Sequence, residues 1–210
     1  MYTLDMDYIF DFDGTICDSF EVVLETANKY LAKHGKQVTA HDIRSKGIEK
    51  LLKEYKLSTL QTLLFVYKGR REFQKFESQL KVFDGLPPVL AKLSLTNRLG
   101  VLSTNSRENV YKILSRNKLL DLFAYIISEP FLFNKAKRLK TIIKKNKLNP
   151  KEVFYIGDEI RDIKAGYEAN VNSVGVTWGY EGQKLMKESK PDFLVSSPQE
   201  LLLLGKQLKH

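Results

Sequence analysis

The residues best suited to chemistry lie near the N-terminus, in Tyr8-Ile9-Phe10-Asp11-Phe12-Asp13-Gly14-Thr15. Tyr8 to Phe10 form a short apolar, aromatic-rich run of the kind that suits a buried strand. Residues two apart in extended chain point the same way, so Asp11 and Asp13 are expected to project together from its end. Two crowded carboxylates repel one another, and a hard cation such as Mg2+ relieves that repulsion. Gly14 can adopt backbone angles closed to other residues and lets the chain turn sharply away. A plain acidic turn has the same Asp-Gly signature, so the rest of the chain must decide between the two readings.

Three further polar groups follow apolar runs. Leu99 to Leu102 leads into Ser103-Thr104-Asn105-Ser106, Lys135 opens a helical pattern, and Val153 to Ile156 leads into Gly157-Asp158-Glu159-Ile160-Arg161-Asp162. A carboxylate pair, a hydroxyl, a cation and a second acidic cluster together form the inventory for metal-assisted transfer of a phosphoryl group.

The elements that must position these groups can be read from periodicity. After Thr15, apolar residues Phe20, Val23, Leu24, Ala27 and Leu31 make one helical stripe. Asp18 with Glu21 resembles an N-terminal cap, and Gly35 is a natural stop. Helical patterning continues from Val38 to Leu80, through Ile48, Leu51, Leu52 and Tyr55, then Leu60, Leu63, Leu64 and Tyr67. A parallel crossover needs only one helix, so this block is too long for a connection and reads as an inserted helical subdomain. From Asp84-Gly85-Leu86-Pro87-Pro88 onward, strands and helices alternate. Strands are expected at Leu99–Leu102, Tyr125–Ile127, Val153–Ile156, Ser173–Val176 and Phe193–Val195, with a closing helix from Pro198. Such alternation predicts an α/β fold, a doubly wound, mostly parallel sheet of Rossmann-like type with ligands at the carboxyl ends of its strands. The expected division is a core of residues 1–16 and 84–210 and a helical cap of residues 17–83.

Asp11-Phe12-Asp13-Gly14-Thr15, the hydroxyl after the second strand, the downstream lysine and Gly157-Asp158-Glu159-Ile160-Arg161-Asp162 resemble the motifs of the haloacid dehalogenase (HAD) superfamily. The helical block between the first and second motifs is similar to the C1-type cap of phosphoglycolate phosphatases and β-phosphoglucomutases. Asp162-Ile163-Lys164-Ala165-Gly166 and Val174-Gly175-Val176-Thr177-Trp178-Gly179-Tyr180 look like the tail of the phosphoglycolate phosphatase-like branch. The resemblance implies that Asp11 is the nucleophile and Asp13 the general acid and base. It implies Mg2+ held by the Asp11 carboxylate, the Asp13 carbonyl and Asp158, with Asp162 orienting metal-bound water. It further implies that Ser103 or Thr104, with Lys135 (or its rival Lys137), neutralises the transferring phosphate. Glu159 reads as a neighbour of the ligands. The family's dehalogenases lack a carboxylate at the position of Asp13, so its presence favours phosphate esters. The implied activity is a phosphatase for a small phosphorylated metabolite, with a mutase or a catalytically silent binding protein as the alternatives.

Composition narrows the setting. The 34 lysines and arginines outnumber the 25 acids, giving a net charge of +9. They are spread along the chain without an arginine block, which reads as a solvated surface rather than a nucleic-acid interface, though it can attract anions. Arg44, Lys46, Lys68, Arg70 and Arg71 are candidates to meet a second anionic group of a substrate. No run of about 18 apolar residues suggests a membrane span. Met1-Tyr2-Thr3-Leu4-Asp5 lacks the layout of a signal peptide. The single cysteine, Cys17, fits a reducing, cytoplasmic setting. A monomer is expected.

Overall fold

Tyr8, Ile9 and Phe10 alternate between two apolar layers, and the rest of the fold is built outward from that strand. The structure is a computed structural model that describes residues 6–128 and 135–208; Met1–Asp5 therefore lies outside the described residues. β1 (Asp7–Phe10) pairs on one side with β4 (Arg98–Ser103) and on the other with β6 (Val153–Gly157). With β5 (Phe123–Ser128), β7 (Asn172–Val176) and β8 (Phe193–Val195), the six-stranded order is β5-β4-β1-β6-β7-β8. Every pairing in it is parallel. The chain winds one way from β1 through β4 to β5, then returns to the other side of β1 for β6. The switch point therefore lies between β1 and β6, where such sheets place their ligands.

Tyr8 and Phe10 pack against α5 (Leu86–Ser94), α6 (Arg107–Arg116) and the C-terminal segment through Leu90, Ile113 and Leu201. Ile9 and Tyr155 pack on the opposite face against Leu139 and Ile142 of α7 (Lys135–Asn146) and Ala165 of α8 (Ile160–Ala169). A sheet covered on both faces accounts for strands that are apolar almost throughout.

Between the first two strands of the large sheet stand α1 (Phe20–Leu31), α2 (Ala40–Lys46), α3 (Ile48–Glu54) and α4 (Thr59–Phe76). They have their own apolar cluster of Phe20, Ala27, Leu31, Val38, Ile43 and Leu51, which Tyr180 of the core enters. At its base β2 (Cys17–Asp18) and β3 (Lys81–Val82) form an antiparallel ribbon, too short to leave a periodic trace in the sequence. The ribbon changes the start of α1. Asp18 is a strand residue, and Ser19 occupies the cap position without bonding the helix, because its hydroxyl faces Tyr180 and Asp13. Gly35 ends the following turn at φ 64°, as a glycine stop should. On α4 the expected stripe faces water: Leu60, Leu64 and Tyr67 are exposed, and the Leu63 side chain lies outside the described residues. The final helical segment begins at Pro198 as a 3-10 helix and becomes α-helical only from Leu204 to Gln207.

Candidate active site

The switch point is built by the backbone first. Asp11 N–H donates to the Ile156 carbonyl at 2.8 Å, extending the β1–β6 ladder by one residue and fixing Asp11 between the two strands. Its Oδ2 meets Lys135 Nζ at 2.6 Å, and the same ammonium reaches Asp162 Oδ1 at 2.5 Å. Lys135 is the first residue of α7, so the start of that helix delivers the cation. Asp162 lies in the first turn of α8, where its carboxylate also accepts from Tyr155 Oη at 3.1 Å and from the Glu159 N–H at 3.2 Å. All three ionic groups are buried.

After Phe10 the chain leaves the extended form. The amides of Ile16 and Cys17 both donate to the Phe12 carbonyl, and Gly14 sits at φ 79°. Asp13 consequently takes different partners from Asp11. Its Oδ1 accepts from Asn105 Nδ2 at 3.0 Å and from Ser19 Oγ at 3.3 Å. Asn105 is held in turn by Asn109 Nδ2, which donates to its Oδ1 at 3.0 Å. Asp158 is clamped beside this loop: Thr15 Oγ1 and the Tyr180 N–H donate to its two oxygens, each at 2.8 Å. The fit leaves no room for side chains, since a Cβ on Gly14 would lie 2.1 Å from Asp158 Oδ2 and one on Gly179 would lie 2.3 Å from its Cβ. Trp178 Nε1 donates to the Thr15 carbonyl at 3.1 Å, so the loop after β7 braces the loop after β1.

The field of the site follows from burial. Asp11, Asp158, Glu159 and Asp162 are buried carboxylates, faced by the cations of Lys135 and Arg161. Burial pushes the Asp11 carboxyl up to about 7, with Lys135 opposing and Asp162 reinforcing the rise. Burial likewise pushes Asp13 up to about 6, against the hydrogen bonds from Asn105 and Ser19. Asp158 is held well above the carboxylate range by burial, then by Glu159 and Asp11. Four buried carboxylates stand against the two cations of Lys135 and Arg161, so a further cation fits there. Oxygens of Asp11, Glu159 and Asp162 lie within 4.8 Å of one another. A wholly oxygen donor set suits a hard ion such as Mg2+ rather than a soft one.

The structure thus brings Asp11, Lys135 and Asp162 into direct contact and packs Asp158 against the same loop. Ser103 is buried at the end of β4, where its Oγ accepts from the Asn105 N–H at 2.9 Å, while Thr104 is only half-buried. Lys137 is exposed, away from the buried position of Lys135. Glu159, expected as a neighbour of the ligands, shares the cluster with Asp11 and Asp162. Sequence reasoning passed over Asn105, Thr15, Ser19 and Arg161. Asn105 could have been suspected from the polar run that ends β4; Thr15 and Ser19 declare themselves only through contacts across the fold, and Arg161 through its pair with Glu159 two residues away. Of the basic residues in the helical block, Arg44 stacks over the Phe20 ring at 4.6 Å and Lys46 pairs with Asp42 and Glu54. Lys68 and Arg71 line a cleft between α1 and α4 of about 690 Å3, and the Arg70 side chain lies outside the described residues.

The family model for haloacid dehalogenase-like hydrolases matches residues 8–176. The chain belongs to that family. It is an enzyme of the hydrolase class, and its matches agree along nearly their whole length. A phosphoglycolate phosphatase of Synechococcus elongatus is 31% identical over 205 residues, spanning 95% of this chain and 97% of the relative. A pyrophosphatase of Bacillus mycoides is 21% identical over 204 residues, 92% of this chain and 94% of the relative. Among solved structures, a predicted phosphatase from Clostridium acetobutylicum superposes with a TM-score of 0.81 at 23% identity, covering 98% and 99% of the two chains. A haloacid dehalogenase-like hydrolase from Streptococcus pneumoniae gives 0.77 at 23% identity, covering 96% and 99%. Among the described residues no helix is long and apolar enough to cross a membrane.

Proposed function

We propose that this chain is a Mg2+-dependent phosphatase that hydrolyses a small phosphomonoester of the phosphoglycolate type through an aspartyl-phosphate on Asp11. The observation that carries the reading is the pairing of Asp11 with the buried Lys135 ammonium at 2.6 Å, beside a second carboxyl whose proton is mobile near neutrality. Asp11 supplies the attacking oxygen, and covalent capture divides one hard displacement into two easier ones. Asp13 gives its proton to the departing alkoxide, then takes one from the water that cleaves the acyl phosphate. A group titrating at about 6 does both near pH 7, and Asn105 and Ser19 hold it in place for the transfer. Lys135 and Ser103 (or Thr104) face the charge that builds on the phosphoryl oxygens. The carboxylates of Asp11, Glu159 and Asp162, which the fold groups together, would hold Mg2+, with the Asp13 carbonyl and Asp158 as the further donors that the family resemblance implies. When bound, the ion supplies charge neutralisation for the transferring group. Residues 17–83 would serve as a cap over this site, and a buried free Cys17 suits a cytoplasmic enzyme.

The test is phosphate release from phosphoglycolate and from p-nitrophenyl phosphate, with Mg2+ and with chelator, for wild type and Asp11→Asn. The reading requires Mg2+-dependent turnover that Asp11→Asn abolishes. Turnover at the wild-type rate by Asp11→Asn would end it.

A further inference from the structure

The cleft between α1 and α4 carries charge of one sign and shares no lining residue with the active site. It encloses about 690 Å3, within the range of about 300–1,000 Å3 usual for small-molecule sites. Lys29, Lys33, Lys68, Arg71 and Lys75 line it, and no acid does. Glu25 pairs with Lys29 at 2.7 Å from outside the lining, so the surplus in the cleft stays strongly positive. Lys33, in the turn after α1, and Arg71, on α4, are exposed and have no ion pair among the described residues.

The two walls are tied together in a way that fixes two of these charges. The helices meet at buried Thr26, whose methyl would lie 3.9 Å from a Cβ on Gly69. Lys68 of α4 stands over the Tyr30 ring of α1 at 5.7 Å, and Lys29 of α1 stands over the Phe76 ring of α4 at 5.5 Å. These crossed cation–π contacts hold both ammonium groups at the cleft. Each ammonium has three N–H donors, so donors remain for a further acceptor. Lys53 and Lys112, by contrast, face acids four residues away, at 2.8 and 2.7 Å. Lys140, Lys144 and Lys145 of α7 have no acid at that spacing, but they come from a single helix, whereas the cleft has two walls. Facing walls of one sign focus their field into the space between them, and a compact anion with several charges gains most from it. A chain of phosphate groups presents charge to both walls, and the Arg71 guanidinium offers the fork that grips phosphate oxygens.

We propose that the cleft between α1 and α4 binds an oligophosphate, a chain of two or more phosphate groups, either free or carried by a nucleoside. Both walls belong to the helical block between the first two strands of the large sheet, so the ligand braces that block without touching Asp11. Its binding is independent of the reaction at Asp11.

The experiment titrates tripolyphosphate and ATP by calorimetry, with chelator present and ionic strength fixed. The proteins are wild type, the double variant Lys33→Gln with Arg71→Gln, and the double variant Lys140→Gln with Lys144→Gln. All four side chains are exposed, so both doubles should fold, and each removes the same amount of charge. Wild type should take up one tripolyphosphate per chain. The cleft double should weaken binding by about tenfold or more, as loss of charge-assisted hydrogen bonds dictates. The α7 double should change it by less than about twofold, because screened charges outside the cleft contribute little. Tighter binding of ATP than of tripolyphosphate assigns a nucleoside-borne chain, and equal or weaker binding assigns a free one; both support the site. No binding of either anion overturns it. So does binding unchanged in the cleft double, which places the anion elsewhere, and so does equal weakening in both doubles, which leaves only a diffuse field.

Discussion

Replacing Lys135 by methionine removes the positive charge that two buried carboxylates share while keeping most of the side-chain volume. The ammonium lies 2.6 Å from Asp11 and 2.5 Å from Asp162, and its side chain is 5% exposed. Breaking a buried pair by removing one partner costs about 3–5 kcal/mol, because the remaining charge is stranded in a poorly solvated place. Part of that cost can be avoided by protonation. Burial already pushes Asp11 up to about 7, and loss of Lys135 removes the main influence holding it down. With that influence gone, the variant takes up its proton at a pH above 7 and so limits the damage; only at still higher pH must the charge stay. The destabilisation should therefore rise toward about 3–5 kcal/mol at pH 9 and be clearly smaller at pH 6. Urea unfolding with chelator present, at both pH values, measures it. Adding Asp162→Asn should recover more than about 1 kcal/mol, since residues in one network are not additive. A loss below about 1 kcal/mol at both pH values, with additive effects in the double variant, would refute the stranded-charge argument.

Other outcomes follow from the same geometry. Gly14→Ala places a Cβ 2.1 Å from Asp158 Oδ2 at φ 79°, so it should displace Asp158 and lower Mg2+-dependent turnover by about 100-fold, read by steady-state kinetics; an unchanged rate would contradict the close fit. Asn105→Ala removes a hydrogen bond that holds the Asp13 carboxyl down, so the alkaline fall of kcat/KM should move to higher pH. A pH profile that does not move would dissociate Asn105 from Asp13. Asp11 has a folded pKa raised above its unfolded value, so its contribution to stability is full below about 4 and is lost as pH rises through about 7. The melting temperature of chelator-treated protein should therefore fall across that interval. Added Mg2+ should restore it most at the upper end, because the ion requires the ionised carboxylates.

The fold was legible because its strands are buried on both faces and stand as unbroken apolar runs, each closed by polar residues. That pattern led from Phe10 to Asp11, from Leu102 to Ser103 and from Ile156 to Asp158 without any knowledge of contacts. What it missed depends on distance along the chain. Thr15 and Asp158 meet across 143 residues, and Ser19 and Tyr180 across 161. Neither partner carries a local signal of the other. The tight turn after Phe10 likewise gives Asp13 partners of its own, Asn105 and Ser19, which strand periodicity does not foresee. The hydrophobic stripe of α4 shows a further limit. Leu60, Leu64 and Tyr67 correctly mark a helix, but periodicity says nothing about whether another element covers its face.

The central claim is that Asp11 becomes covalently phosphorylated during turnover. Reaction with phosphoglycolate and Mg2+, quenched with borohydride, reduces an acyl phosphate to the alcohol, and peptide mass spectrometry locates it. The account predicts homoserine at position 11, appearing only when substrate and Mg2+ are both present. Steady turnover with position 11 unmodified, or with the alcohol at another carboxylate, would contradict it.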